Sequence, residues 1–182
     1  MVRFNKRWLQ RIRVPLAIPF ALALFIFAVP TPLSLASGGS AVVLGLALRA
    51  WAVGHLRKAS VLATLGPYAH VRNPLYAGSL FLCIGVGVAS GVWWLGVLLI
   101  ILMACIYIPV VNVEEGDLLA LFGDEFTEYK RNVPAILPRI RPWRNMDGKF
   151  DFQLYLKSRE YRAALGAAAV MAFLVTKAYF QY

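Results

Sequence analysis

The sequence predicts an all-α, polytopic integral membrane protein of about five transmembrane helices, with two polar blocks, in loops and an interfacial helix, that could build one site on the cytosolic side. Three observations carry this. The 182 residues are 60% hydrophobic and only 15% charged, with a mean hydropathy of +0.64, whereas soluble domains run nearer one quarter charged. Five apolar runs follow one another, separated by polar or Gly/Pro-rich stretches that are short except for the polar segment over residues 114–162. The bases are distributed unevenly. With even alternation of the runs, residues 1–13 hold five bases, 57–73 three and 114–162 nine, so 17 of the 19 share one side, as do all nine acids. That side is expected to be cytoplasmic. The net charge of +10 would suit nucleic acid, but the bases flank apolar runs as orientation signals do. Membrane lipids are the expected partners and nucleic acid is not, since such flanks also favour anionic headgroups.

The elements follow in order. Arg3, Lys6, Arg7, Arg11 and Arg13 precede an apolar run over residues 14–29, ended by Pro30 and Pro32. A signal peptide has this form; an uncleaved first span is the expectation, with Pro15 and Pro19 suited to its first turns. Gly38 and Gly39 open a second span over about residues 40–56. Arg49 lies inside it, where a charge is costly and should face protein or water, unless it snorkels to the interface. A third span runs over about residues 75–90, and Gly78, Gly85 and Gly87 would let a neighbouring helix approach closely. Gly85, Gly87 and Gly91 do not read as a dinucleotide loop, because no strand precedes them. Trp93 and Trp94 anchor a fourth span that reaches about residue 113, with Pro109 available for a kink.

Leu118, Phe122, Phe126, Tyr129 and Val133 recur at helical steps and share one face. This predicts an interfacial helix, or two short ones broken at Gly123-Asp124, lying along the bilayer. Pro134, Pro138 and Pro142 enforce an extended segment, residues 143–160 read as a charged linker, and residues 163–180 form a last, Ala-rich span from which Lys177 can snorkel. Residues 1–182 are expected to form a single domain: an N-terminal hairpin (1–59), a core (60–142), and a linker with the last helix (143–182). Cys83 and Cys105 lie in apolar runs without metal or disulfide spacing, so they read as packing residues and no metal site is expected.

Two polar blocks stand out. One is Gly66-Pro67-Tyr68-Ala69-His70-Val71-Arg72-Asn73-Pro74-Leu75-Tyr76-Ala77-Gly78, with turn signals at Gly66-Pro67 and Asn73-Pro74. The other holds Glu114-Glu115, Phe122-Gly123-Asp124-Glu125-Phe126, Tyr129, Val133-Pro134 and Pro138. By composition alone, both could be loops dressing the cytosolic ends of helices. As an ordered set with a helical hairpin between them, over roughly residues 60–138, they resemble the isoprenylcysteine carboxyl methyltransferase and phospholipid methyltransferase superfamily.

That resemblance implies a cytosol-facing S-adenosylmethionine pocket without a Rossmann sheet. Carried over residue by residue, it implies cofactor contacts from Ser60, Val61, Leu62 and Ala63, from Tyr68, from Asn73, Pro74, Leu75 and Tyr76, and from Glu114 at the cofactor's polar end. The residue types suit these roles. A glutamate can pair an ammonium or accept from hydroxyls, Arg72 could grip a carboxylate as a fork, and aromatic rings favour a sulfonium. Methyl transfer to an amine would need a base, for which His70 or Glu115 could serve; Arg72, Glu115 and His70 are thus the expected catalytic residues. The expected acceptor is a lipid-like amphiphile entering from the bilayer. Two departures from the family pattern bear on it. Asn73 stands where most relatives have histidine, and Val110 stands where the prenylcysteine branch has an arginine for the substrate carboxylate. Two other functions compete at this stage: an NADPH-dependent membrane reductase of the sterol-reductase type, and a non-catalytic membrane scaffold.

Overall fold

A computed structural model describes residues 18–56, 61–143 and 150–181, and all the regular structure among them is helical. α1 covers Ile18–Phe27, α2 Pro32–His55, α3 Pro74–Ala89, α4 Trp93–Asn132, α5 Phe152–Lys157 and α6 Tyr161–Gln181. A 3₁₀ turn, Gly66–Ala69, lies between α2 and α3. The basic stretch 1–13, the first turns of the expected first span, Arg57, Lys58 and Ser60 lie outside the described residues.

α2, α4 and α6 are each long and apolar enough to cross a membrane, while α1 and α3 are shorter apolar helices. The 16 residues of α3 rise only about 24 Å, against a hydrocarbon core of roughly 30 Å. The outer surface of the bundle is apolar. Phe25, Ile26, Val43, Ile101 and Leu165 are all more than half exposed, as a bilayer-facing surface requires and a water-facing one of this extent would not tolerate.

The second span begins earlier than its glycines suggest. Thr31 caps α2, accepting from the Ser34 amide at 3.1 Å while Ser34 Oγ accepts from the Thr31 amide at 2.9 Å, and Pro32 takes the first helical position, where its missing N–H costs nothing. Gly38 therefore sits inside the helix and serves packing: a Cβ there would strike the backbone of Gly85 and Ala89. Further along, a Cβ on Gly45 would come within 2.7 Å of the Gly78 carbonyl. Small residues on both helices bring α2 and α3 into close backbone contact.

α4 is also longer than expected. Pro109 leaves its course helical; the one residue with non-helical dihedrals is Gly123, at φ 50° and ψ −118°. The sequence's break lies there, but the segment before it continues the fourth span rather than forming a separate interfacial helix. Residues 93–113 carry no charge and form the membrane part, and every charged residue of α4 lies at Glu114 or beyond. The face predicted to lie on the bilayer is instead buried in the protein: Phe126, Tyr129 and Val133 form a core with Leu62, against which Leu118, Phe122 and Trp143 pack. At the other end of the bundle Leu24, Ala28, Ala89, Leu95 and Leu174 make a second core from α1, α3, α4 and α6. Lys177 caps α1 instead of reaching outward, its Nζ donating to the Phe25 carbonyl at 2.7 Å and the Ile26 carbonyl at 3.2 Å, two groups a helix end leaves unsatisfied. Within the expected linker, Asp151 caps the short α5.

Candidate functional site

The first polar block folds as its turn residues dictate. Gly66 adopts φ +59°, and the His55 ring sits where its Cβ would be, so glycine is required on both counts. Pro67 is the second residue of the 3₁₀ turn, Asn73 precedes α3, and Pro74 is its first residue. The proline-rich segment after α4 then laces onto this loop. Arg72 N donates to the Pro134 carbonyl at 2.8 Å, Asn73 N to the Ala135 carbonyl at 3.1 Å, Arg139 N to the His70 carbonyl at 3.0 Å and Trp143 N to the Ala69 carbonyl at 3.0 Å. The Asn73 amide adds a second bond to Ala135 at 3.1 Å. Prolines lack an N–H but keep a carbonyl, so Pro134 can anchor a strap without continuing a helix.

Between this loop and α4 lies a cavity of about 440 Å³. α4 contributes Glu114, Asp117, Leu118, Leu121 and Phe122, spaced i, i+3, i+4, i+7 and i+8 and hence on one helical face. The Glu114 carboxylate accepts from Tyr76 Oη at 2.9 Å, tying the first turn of α3 to this face. Tyr129, from beyond the Gly123 break, closes the cavity and donates its hydroxyl to the Tyr68 carbonyl at 2.8 Å. Burial, aided by the nearby Glu114 charge, pushes the Tyr68 phenol well above its ordinary range, so this side chain stays neutral at any working pH.

Glu115 lies about 100° further round the helix and does something different. Its Oε1 accepts from Arg72 Nη2 at 2.7 Å and Nε at 3.1 Å, and its Oε2 from Lys130 Nζ at 2.6 Å. Arg72 Nη1 donates to the carbonyls of Lys130 at 2.8 Å and Val133 at 2.6 Å. Burial works against ionisation of Glu115, but the hydrogen bonds from Lys130 and Arg72 and their two positive charges outweigh it, holding the carboxyl below its ordinary range.

The structure brings most of the expected cofactor residues together. Val61, Leu62 and Ala63 line the cavity on one side, and Tyr68, Asn73, Pro74, Leu75, Tyr76 and Glu114 on the others; Ser60 lies outside the described residues. Of the three expected catalytic residues only Arg72 lines the cavity, with its guanidinium engaged as described. Glu115 points to Arg72 and Lys130. His70 packs its ring near Trp51 and places Nδ1 2.8 Å from the Arg139 carbonyl, an acceptor-only partner, so it too holds the strap. Sequence reasoning passed over Asp117 and Leu121, although the helical step from Glu114 would have found both.

Residues 39–125 match the phospholipid methyltransferase family. Over this region the chain is similar to the membrane methyltransferases. The chain is 34% identical over 116 residues to the cobalt-zinc-cadmium resistance protein CzcN of Cupriavidus metallidurans, covering 63% of this chain and 53% of that one. It is 30% identical over 83 residues to protein-S-isoprenylcysteine O-methyltransferase of Schizosaccharomyces pombe, covering 46% and 35%. It is 39% identical over 72 residues to methanethiol S-methyltransferase 1 of Bradyrhizobium diazoefficiens, covering 39% and 24%. The chain thus spans about half or less of the length of these curated relatives. No solved structure gives a significant match. The family match ends at Glu125, before Tyr129 and the strap that locks the site.

Proposed function

We propose that the protein is an S-adenosylmethionine-dependent methyltransferase acting on a lipid-like acceptor reached from the bilayer, with its cofactor in the cavity between α3 and α4 and that cavity facing the cytoplasm. The observation that carries this reading is the cavity's charge. Among the described residues its charged lining is Glu114, Asp117 and Arg72, and Arg72 is paired with Glu115. The other charged residues of that described lining, Glu114 and Asp117, are both acids. S-adenosylmethionine carries a sulfonium and an ammonium against one carboxylate and suits such a site. NADPH, with several phosphate charges, does not, which disfavours the reductase reading.

When bound, S-adenosylmethionine supplies a methyl carbon activated by its sulfonium, the carbon–sulfur electron pair staying on sulfur as the acceptor forms its new bond. The chain's own residues bind and align. Glu114 and Asp117 would hold the ammonium and ribose hydroxyls, with Tyr76 orienting Glu114. Tyr68 and Tyr76 would present aromatic surface to the sulfonium or adenine, and Ser60, Val61, Leu62, Ala63, Asn73, Pro74 and Leu75 would form the remaining wall. Arg72 and Glu115 act as positioning residues, fixing the start of α3 against α4, and His70 secures the strap. Desolvation and alignment then supply most of the rate. Apart from Leu56, every described residue lining the cavity falls within the core 60–142.

The metal-resistance name of CzcN offers a different setting. Among the described residues, however, no group of three or more His, Cys, Asp or Glu side chains is placed to hold a metal ion. The deciding experiment is calorimetric titration of the purified protein in lipid nanodiscs with S-adenosylmethionine and with NADPH. Saturable binding of the first alone is expected. Binding of NADPH alone would make the protein a reductase, and binding of neither would make it a scaffold.

A further inference from the structure

A second cavity, also about 440 Å³, lies within the apolar bundle and is lined from α1, α2, α3, α4 and α6. Apart from the Cys83 thiol, its polar side chains are Arg49, Ser79 and Tyr107. All three contact residues that line the first cavity. Arg49 Nη1 donates to the Leu75 carbonyl at 3.3 Å, and the Tyr107 ring lies 4.6 Å from the Tyr76 ring, centre to centre; Leu75 and Tyr76 both line the first cavity. The inner cavity is therefore polar where it meets the cofactor side and hydrocarbon-like in the rest of its lining.

Arg49 is only partly spent. Its Nε pairs with Glu160, and its Nη1 donates to Ser79 Oγ as well as to Leu75. A guanidinium carries five N–H groups, and the two on Nη2 have no partner among the described residues. An ionisable residue within a membrane span is conspicuous because it is costly. Here Glu160 cancels the charge, and what the cavity retains is a pair of donors without net charge.

We propose that this cavity binds the methyl acceptor and that Arg49, set by Ser79 and Glu160, is its specificity-determining contact. The acceptor it selects has an apolar tail and an uncharged, oxygen-bearing head, of which a phenol is the type. This rests on the methyltransferase reading above. A carboxylate head would bring a second negative charge to a guanidinium already paired with Glu160. An ammonium head cannot accept from Nη2 and would leave those donors buried and unsatisfied. A neutral hydroxyl accepts from Nη2 and leaves the charge balance unchanged. Its size fits as well, since cavities of roughly 300–1,000 Å³ take molecules of some tens of atoms. In the transfer, the phenol oxygen forms the new bond to the methyl carbon, the carbon–sulfur pair remains on sulfur, and the phenolic proton is released to water through the polar cavity.

Cys83 lines the inner cavity and reports on it. In nanodiscs, with the exposed Cys105 changed to Ser, labelling of Cys83 by a lipophilic maleimide is followed in the presence of 4-octylphenol, decanoate or decylamine. We expect 4-octylphenol to slow labelling at least fivefold, and the acid and amine to do so little. Arg49→Lys, which keeps a charge opposite Glu160 but lacks Nη2, should raise the phenol concentration for half-protection at least tenfold while leaving S-adenosylmethionine binding intact. Should that variant misfold, the uncharged pair Arg49→Met with Glu160→Gln avoids an orphaned charge and should lose phenol protection with Cys83 still reactive. Equal protection by all three heads, or phenol protection indifferent to Arg49, overturns the inference. Because the labelling needs no cofactor, failure of S-adenosylmethionine to bind would count against the methyltransferase reading alone.

Discussion

Glu114 and Glu115 are neighbours in sequence with opposite assignments, and exchanging each for glutamine separates them. Glu114 faces the cavity, where its carboxylate accepts from Tyr76. Glu114→Gln removes a charge-assisted bond to a cationic ligand, worth about 1.5–3 kcal/mol, so S-adenosylmethionine should bind roughly 10- to 150-fold more weakly. Its effect on stability should be small. Glu115 is 12% exposed and its partner Arg72 11%. Glu115→Gln keeps an amide oxygen near that guanidinium but removes the carboxylate charge opposite it, and breaking a buried pair from one side costs about 3 kcal/mol. The melting midpoint should fall by several degrees, while cofactor affinity changes by no more than a few fold. The pair also predicts an acid dependence. Because the folded Glu115 carboxyl titrates below its ordinary value, its stabilisation is complete above a pH of about 4.3 and is lost as pH falls below that. Wild-type protein should lose stability in that window more steeply than Glu115→Gln. Calorimetry and thermal melts on the same nanodisc preparations measure both. Equal effects of the two substitutions on affinity, or a larger one from Glu115→Gln, would refute the division of labour along α4.

Two further outcomes are expected. Gly45→Val places a side chain 2.7 Å from the Gly78 carbonyl and 3.0 Å from the Leu82 amide, both backbone, so thermal melts should show a cost of about 1–3 kcal/mol; Gly116→Ala, with nothing within 4 Å, should be neutral or slightly stabilising. The asymmetry of bases predicts five crossings with both polar blocks in the cytoplasm and the C-terminus across the membrane; a reporter fused after Tyr182 that is active only in the cytoplasm would contradict it.

Where the sequence carried a local signal with one physical meaning, it could be read directly. Gly66-Pro67 and Asn73-Pro74 mark turns because of their dihedrals, and Leu118, Phe122, Phe126, Tyr129 and Val133 share a face because helices repeat. Signals with two meanings were read by the commoner one. Gly38-Gly39 resembles a helix opening but is a packing surface, a distinction that depends on Gly85 and Ala89 lying opposite. The face around Tyr129 is apolar enough for a bilayer, and only its meeting with Leu62 and Trp143 shows that protein covers it. The hardest feature to read was pairing at a distance. Arg72 with Glu115 and Arg49 with Glu160 are separated by 43 and 111 residues, and no periodicity encodes such partners.

The closure of the first cavity depends on one residue. Gly123 takes φ 50° with no neighbour within 4 Å of a would-be Cβ, so glycine is there for its dihedral and not for space. Were α4 to run straight through it, Phe126 and Tyr129 would leave Leu62, and Lys130 would leave Glu115. The break turns the last residues of α4 back over the helix that precedes them. Tyr129 then reaches both the cavity and the Tyr68 carbonyl, and Val133 and Pro134 arrive where Arg72 can bond them. One helix thus supplies a wall of the cavity before the break and its closure after it, and the strap that follows fixes the loop carrying Tyr68 and Asn73. The site is assembled from two polar blocks some forty residues apart because a single left-handed glycine folds the second block onto the first.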